Sequence, residues 1–289
     1  MDPEGPSRHL EQQQEFNGDT DWSETHLFEL CSFDATVGVW VSLTRWPAHR
    51  RFWFWGALVR EGRPTVLVVD QDIPIPRSGT LELRAPGLWA DHICETPFRH
   101  WTAAMEAFGV ALEDPLEAFA RGFGERVPIG HDLEWEHDPA QLVRSDPEQG
   151  FERYDLGAVV TGEVLVGEEV LVIDGVGSRS HWWGTSGWGE APGEGWAAAS
   201  DTPVVRGEIV TGPVTSDRLA SPLGARLLGT EWVVDELVGW SAVPIPARTP
   251  SLAGPARLMA RAMVRYRALS GERAVGWLTA YGQPGTAAV

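Results

Sequence analysis

The chain has 289 residues, 43% of them hydrophobic and 22% charged, with a formal net charge of -18. That length holds one large or two medium domains with a substantial core, and that charge argues against nucleic acid or an anionic membrane as partner, because both attract a cationic surface. All 23 basic residues are Arg, which removes lysine Schiff-base chemistry, while 15 Trp beside 32 Gly and 21 Pro point to a β-rich chain around a roomy interior.

The first ten residues have neither a basic start nor an apolar stretch, so they do not read as a signal peptide. No apolar run approaches the ~18 residues of a membrane helix. Cys31 and Cys94 read as two reduced thiols. Together these lead to the expectation of a cytoplasmic protein. Residues 1–20 are polar and unpatterned, and the expectation is a disordered tail.

From Trp22 the pattern is that of strands. Residues 26–33 form one, and 38–45 alternate Val39, Val41 and Leu43 against Trp40, Ser42 and Thr44. Residues 51–60 and 64–70 flank a Gly-containing loop as a hairpin, and 80–84 alternate again. Residues 98–108 have a helix-like composition but alternate at period two, and 115–121 fit a short helical turn. Pro128, Gly130, Pro139 and Pro147 among acids mark a domain boundary near 127, with a strand at 132–136 inside that stretch.

Further strands are expected at 151–161 and 162–174, meeting near Thr161-Gly162, then at 204–210, 225–229, 230–238, 257–269 and 274–281. Arg257, Arg261, Arg265 and Arg267 share odd positions, read as a solvated strand face in preference to an anion site. Many short strands with Gly/Pro turns indicate sandwiches or barrels. The expected organisation is a tail (1–20), an N-terminal β domain (21–126) and a C-terminal β domain (127–289).

One stretch departs from simple core strands: Gly175-Val-Gly-Ser-Arg-Ser-His-Trp-Trp-Gly184. Its glycines are expected to bend the chain, and it mixes a guanidinium (Arg179), an imidazole (His181) and two indoles (Trp182, Trp183). Known chemistries fail to match it. His181 has no His at i+2 or i+4, and His92 with Cys94 has no second pair, so no metal site is expected. Gly175-x-Gly177 lacks the third glycine of a dinucleotide fingerprint, and no cofactor is expected. Ser180 and His181, as strand neighbours, point to opposite faces and form no dyad by themselves.

The same stretch resembles the G-x-G-x-R-D-H-S-W-G motif of the hydroxyneurosporene synthase-like family, which includes carotenoid hydratases and the lipocalin-like cyclases (Diels–Alderases) of polyketide pathways. Gly175, Gly177, Arg179, His181, Trp183 and Gly184 match; Ser180 stands where the motif has Asp, and Trp182 where it has Ser. Trp22-Ser-Glu-Thr-His26, Glu95-Thr-Pro-Phe-Arg-His-Trp101, Gly162-Glu-Val-Leu-Val-Gly167 and Gly276-Trp-Leu-Thr-Ala-Tyr281 fit the family loosely. The resemblance implies an all-β fold of two lipocalin-like antiparallel barrel or sandwich domains packed together, with a cavity for an apolar small molecule.

Loss of the motif's acid at Ser180 shifts the expected chemistry from hydration toward shaping a substrate. The leading expectation is therefore a cofactor-independent cyclase of natural-product biosynthesis, [4+2] pericyclic in its sharpest form. It would fold a linear polyene or polyketide between aromatic walls and polarise a carbonyl with His181 or Arg179. Ser180 completes the candidate catalytic set. Trp182, Trp183, Trp188, Trp53, Trp55, Trp232, Tyr266, Trp277 and Glu24 are the candidate substrate contacts, the aromatic ones weighed against plain barrel core. The alternatives are an acid–base hydratase or cyclase on a terpenoid or carotenoid-like alkene, with His181, Glu24, Asp70 and Glu231 as candidate acids, and a carrier that performs no chemistry.

Overall fold

A computed structural model of the chain describes residues 6–120, 124–144, 151–185, 195–198, 203–209, 213–214, 219, 224–227, 230–245 and 257–284. The first sheet contains β1 (Ser23–Ser32), β2 (Val37–Trp46), β3 (Arg51–Arg60), β4 (Thr65–Pro74), β5 (Leu83–Ala85), β6 (Leu88–Thr96), β7 (His100–Leu112), β8 (Glu125–His137), β9 (Val143–Arg144), β10 (Phe151–Val166) and β11 (Glu169–Gly184). One helical turn, α1 (Glu117–Ala120), links β7 to β8. The strand order is β4-β3-β2-β1-β11-β10-β8-β7, and β4 also pairs with β7. That last pairing closes eight antiparallel strands into a barrel with no free edge in the ring.

The interior follows from period-two alternation. In β2, Val39, Val41 and Leu43 face a core shared with Phe28, Phe54, Leu133, Trp135 and Val160. Trp40, on the other face, joins Trp53 and Trp55 outside the barrel. In β7, Trp101, Ala103, Met105 and Ala107 point inward. Period two therefore decides the ambiguous stretch 98–108: four inward residues at two-residue spacing cannot share one helical stripe.

A second sheet covers the outer face of β1–β3. It comprises β12 (Gly195–Ala198), β13 (Pro203–Ile209), β14 (Pro213–Val214), β15 (Gly224–Leu227), β16 (Thr230–Ile245), β17 (Arg257–Ala268) and β18 (Arg273–Pro284). β16, β17 and β18 are antiparallel neighbours, and β13 runs parallel to β18. Trp40, Trp53, Trp55, Val243, Met259, Met263 and Trp277 fill the seam. Polar contacts register it: Trp40 Nε1 donates to Ser241 Oγ at 3.0 Å, Thr65 Oγ1 to the Trp240 carbonyl at 2.8 Å, and Arg261 pairs with Glu29.

The all-β architecture in two packed units agrees with the sequence; several details do not. The boundary near 127 falls inside the barrel, where β7 and β8 pair from His100↔Glu136 to Ala111↔Glu125. Pro128 is tolerated there because it lies past Ile129, the last β8 residue paired with β10, so its missing N–H breaks no bond to that neighbour. The sheet changes only after Gly184. Thr161-Gly162 is not a turn but the middle of β10, and the hairpin turns at Gly167, with φ 61°. At Gly162 a Cβ would lie 2.1 Å from the Asp132 carbonyl oxygen, so this glycine permits close strand approach.

The odd-numbered arginines are a solvated face only in part: Arg267 is exposed, Arg265 is partly exposed and Arg261 is buried, while the Arg257 side chain lies outside the described residues. Arg261 is buried against Glu29, Arg265 pairs with Glu61 and Glu236, and Arg267 with Asp235. The described residues of the N-terminus do not form a tail. Arg8–Glu11 is a 3-10 turn, and both Glu11 and Gln14 are buried. The Glu11 side chain finds Arg179 and Trp101 inside the end of the barrel, and the Gln14 backbone bonds Glu24 and Arg45 there, which offsets the cost of ordering a polar segment.

Candidate functional site

The site lies at the end of the barrel where β1 begins and β11 ends. In their antiparallel register Glu24 opposes Trp183, His26 opposes His181 and Phe28 opposes Arg179. Opposed residues point to the same face, so the Glu-x-His of β1 and the Arg-x-His-x-Trp of β11 all point inward. Gly175 and Gly177 do not bend the chain as expected. A Cβ on them would lie 2.3 Å from the Cys31 carbonyl oxygen and 2.2 Å from that of Glu29. They let β11 press against β1, which brings the two sets of side chains together.

Two ion-paired groups result. In the first, Arg179 is fully buried. Its Nη1 donates to Tyr154 Oη at 2.8 Å and its Nη2 to Glu11 Oε1 at 2.5 Å. Glu11 Oε2 accepts from Trp101 Nε1 at 2.9 Å, and the guanidinium lies 4.7 Å from the centroid of the Trp101 ring. Burial acts to lower the Arg179 pKa, but the Tyr154 and Glu11 contacts outweigh it and hold the guanidinium charged. Burial pushes the Tyr154 hydroxyl up, so it stays protonated.

In the second group, Glu24 Oε1 accepts from the Gln14 N–H at 2.8 Å and meets His181 Nε2 at 3.0 Å. Its Oε2 accepts from Arg45 Nε at 2.8 Å. Burial pushes the Glu24 carboxyl up, but His181, Arg45 and the Gln14 amide together pull it below its usual value. His181 Nδ1 lies 2.9 Å from the Leu10 carbonyl oxygen, which only accepts. The Nε2–Oε1 contact therefore holds one further proton, shared by imidazole and carboxylate.

His26 stacks on His181, and burial first, then the charges of His181 and Arg179, hold it neutral. Its Nδ1 has no hydrogen-bond partner. His92 is likewise neutral, lowered to about 3 by burial and by His131, and both its nitrogens lack partners. These imidazoles face a cavity of about 540 Å³ whose polar wall includes Glu11, Glu24, Arg45 and Trp101. Phe52, Leu81 and Ile93 supply its apolar wall. Cys94, at its rim, is pushed up to about 12, mainly by burial and Glu11, so it is a thiol and not a nucleophile.

Donor atoms of Glu24, His26 and His181 lie within 4.8 Å of one another, a donor set suited to a metal ion by residue type. The arrangement does not fit one. Lone pairs on imidazole nitrogens lie in the ring plane, and these rings are stacked 16° from parallel, so the lone pairs do not converge.

The structure thus brings together His181, Arg179 and Glu24, with Trp183 against His181 at 4.8 Å. It sends Ser180 and Trp182 to the opposite face of β11. Ser180 Oγ donates to Asp155 Oδ1 at 2.5 Å, and Trp182 lies in the seam between the sheets, beneath Arg153. Trp53, Trp55 and Trp277 also belong to that seam, while Trp232 and Tyr266 pack within the second sheet. None of these aromatics lines the cavity. Trp188 lies outside the described residues, as does the Glu231 side chain, and Asp70 caps the Asp72 amide away from the site.

Sequence reasoning missed Glu11, Arg45, Tyr154, His26, His92 and Trp101. For His26 the signal was present: Glu24 and His26 stand two apart on a strand and must share a face.

Fold and site together define a closed antiparallel barrel with a buried ionisable cluster at one end. The chain belongs to the family of a domain of unknown function, DUF7064, whose profile matches residues 7–204; every site residue lies within that span. No curated protein has a matching sequence. Among solved structures, CghA with Sch210972 is similar at 11% identity and a TM-score of 0.47, over 89% of this chain and 86% of that one. CghA alone gives 11% and 0.46, over 92% of each. A protein described as an AttH from Nitrosomonas europaea gives 12% and 0.47, over 91% of this chain and 96% of that one.

Proposed function

We propose that the barrel is a cofactor-independent cyclase or isomerase that moves a proton on a small, largely apolar substrate in the 540 Å³ cavity. The observation that carries this is the sequence Glu24–His181–His26: a carboxylate at the cavity wall, a proton shared with the imidazole behind it, and a neutral imidazole stacked on that one. His26 is suited to hydrogen-bond a substrate oxygen, as a neutral imidazole polarises a carbonyl without giving up its proton. Glu24, whose proton store is His181, is suited to deliver or receive the proton. The apolar part of the wall, Phe52, Leu81 and Ile93, lowers the local dielectric and strengthens both interactions. A purely pericyclic reaction between tryptophan walls is less well supported, because among the described residues only Trp183 of the candidate wall tryptophans approaches the ionisable cluster.

The test is incubation with linear polyenes carrying a carbonyl, in deuterated water. The expected result is a cyclised or isomerised product that incorporates solvent deuterium, with turnover reduced about 100-fold or more by Glu24→Gln. A product free of deuterium, formed as fast by Glu24→Gln, would point to a cavity that only folds its substrate. A ligand returned unchanged would identify a carrier.

A further inference from the structure

We propose that Arg179, Tyr154 and Trp101 form a carboxylate-binding subsite at the end of the cavity, and that Glu11 of the same chain occupies it in this structure. The ligand that belongs there is an apolar carboxylic acid, its head group on Arg179 and its body against Phe52, Leu81 and Ile93. This rests on the cavity's taking a small molecule, but not on the reaction performed there.

Three observations carry the inference. First, the cradle is built for a carboxylate. Arg179 Nη2 and Trp101 Nε1 each donate to a different oxygen of Glu11, and the guanidinium is clamped between the Trp101 and Tyr154 rings, 4.7 and 5.2 Å from their centroids. Second, Glu11 does not complete it. Arg179 is fully buried, yet its Nε has no hydrogen-bond partner, so its Nε–Nη2 edge, which takes a carboxylate bidentately, makes only one bond. Third, Glu11 arrives from outside the barrel. It ends the 3-10 turn Arg8–Glu11 and itself lines the cavity, with Gln12 and Gln13 beside it. A ligand carboxylate taking its place opens directly into the apolar space. The exchange replaces one carboxylate by another, so the buried guanidinium is never left uncompensated, the step that makes burial of a lone charge costly.

The subsite can be read without turnover, by thermal unfolding of full-length Glu11→Ala in sodium acetate and in sodium chloride at equal ionic strength. Expected is a melting temperature below that of the wild type, restored in large part by acetate and not by chloride. Glu11→Ala/Arg179→Met should show no response to acetate. As a second variant, the isosteric Glu11→Gln keeps the shape of the plug and weakens its ionic hold. By tryptophan fluorescence it should bind dodecanoate about tenfold more tightly than the wild type, about 1.4 kcal/mol, and dodecanol no more tightly. A folded Glu11→Ala that responds equally to both salts, or to neither, overturns the proposal. So does equal affinity of Glu11→Gln and wild type for dodecanoate, which decides alone if Glu11→Ala does not fold. Acetate rescue reads the cradle and deuterium incorporation reads proton transfer, so either can fail by itself.

Discussion

His26 lies on His181 with ring centroids 3.9 Å apart and planes 16° from parallel. Two buried imidazolium rings at that distance would repel strongly. The contact is relieved by unequal protonation. His181 shares a proton with Glu24 and touches the Leu10 carbonyl, while burial and the charge of His181 keep His26 neutral. The stack is thus a consequence of the Glu24 contact, and Glu24 in turn is held by Arg45 and by the backbone of the N-terminal segment.

The first prediction concerns pH. His26 is held well below its ordinary value, and burial lowers His92 to about 3, His131 to about 4 and His137 to about 3. In the unfolded chain each takes a proton near pH 6.5; in the folded chain none does until the solution is far more acidic. The unfolded state therefore binds more protons, and stability falls as pH drops below 6.5, by up to about 1.4 kcal/mol per pH unit for each histidine. Glu24 has the carboxylate sign: its contribution is present above about pH 4.5 and is lost below it. Urea midpoints at pH 7.5, 6.5 and 5.5 should fall with increasing steepness, and His92→Asn should flatten the slope by about one proton. A midpoint unchanged between pH 7 and 5 would contradict the buried, neutral histidines.

A second prediction concerns Gly177. Alanine there would place a methyl 2.2 Å from the Glu29 carbonyl oxygen and 2.9 Å from Val160 Cγ2. Backbone cannot yield as a side chain can, so β11 must separate from β1. Gly177→Ala should destabilise by about 3 kcal/mol, the upper end of what an overpacked methyl costs, and weaken the His26–His181 and Glu24–His181 contacts. Far-UV circular dichroism with urea titration measures the first effect, and the imidazole NMR shifts of His26 and His181 report the second. A variant with wild-type stability would show that the strands are not held in contact at Gly177.

Legibility differed with the range of the determining contact. Strands β1 to β4 could be read because Val39, Val41 and Leu43 alternate with Trp40 and Ser42, and that period is local. Arg179, His181 and Trp183 were legible as a set because their spacing fixes a shared face. Ser180 and Trp182 lie on the other face by the same rule, so grouping all five was a failure to apply it. Glu11 was not legible. Its role depends on a guanidinium 168 positions away, and the segment around it has the composition of a disordered tail. The aromatics misled because two packed β units have two interiors. Trp53, Trp55 and Trp277 serve the seam between units, and nothing in their spacing tells a seam from a cavity.

The last prediction tests that seam. Glu29 on β1 and Arg261 on β17 pair across it, both buried. Glu29 Oε2 also accepts from Ser178 Oγ at 3.1 Å, and the Arg261 guanidinium lies 5.1 and 5.5 Å from the centroids of the Trp40 and Trp277 rings. Desolvating two charges costs about as much as their attraction returns, so such a pair contributes little net stability, yet losing one partner leaves the other charged and buried. Glu29→Gln and Arg261→Met should each destabilise by about 3–5 kcal/mol. Glu29→Leu/Arg261→Met should lie closer to the wild type than either single change, with a coupling of at least about 1.5 kcal/mol. Because the pair joins the barrel to the second sheet, each single variant should also separate their unfolding: near-UV circular dichroism, dominated by the seam tryptophans, should change before the far-UV signal of the barrel. Additive effects of the two substitutions, with coincident transitions, would mean that Trp40, Trp277 and Met263 hold the seam without the charge pair.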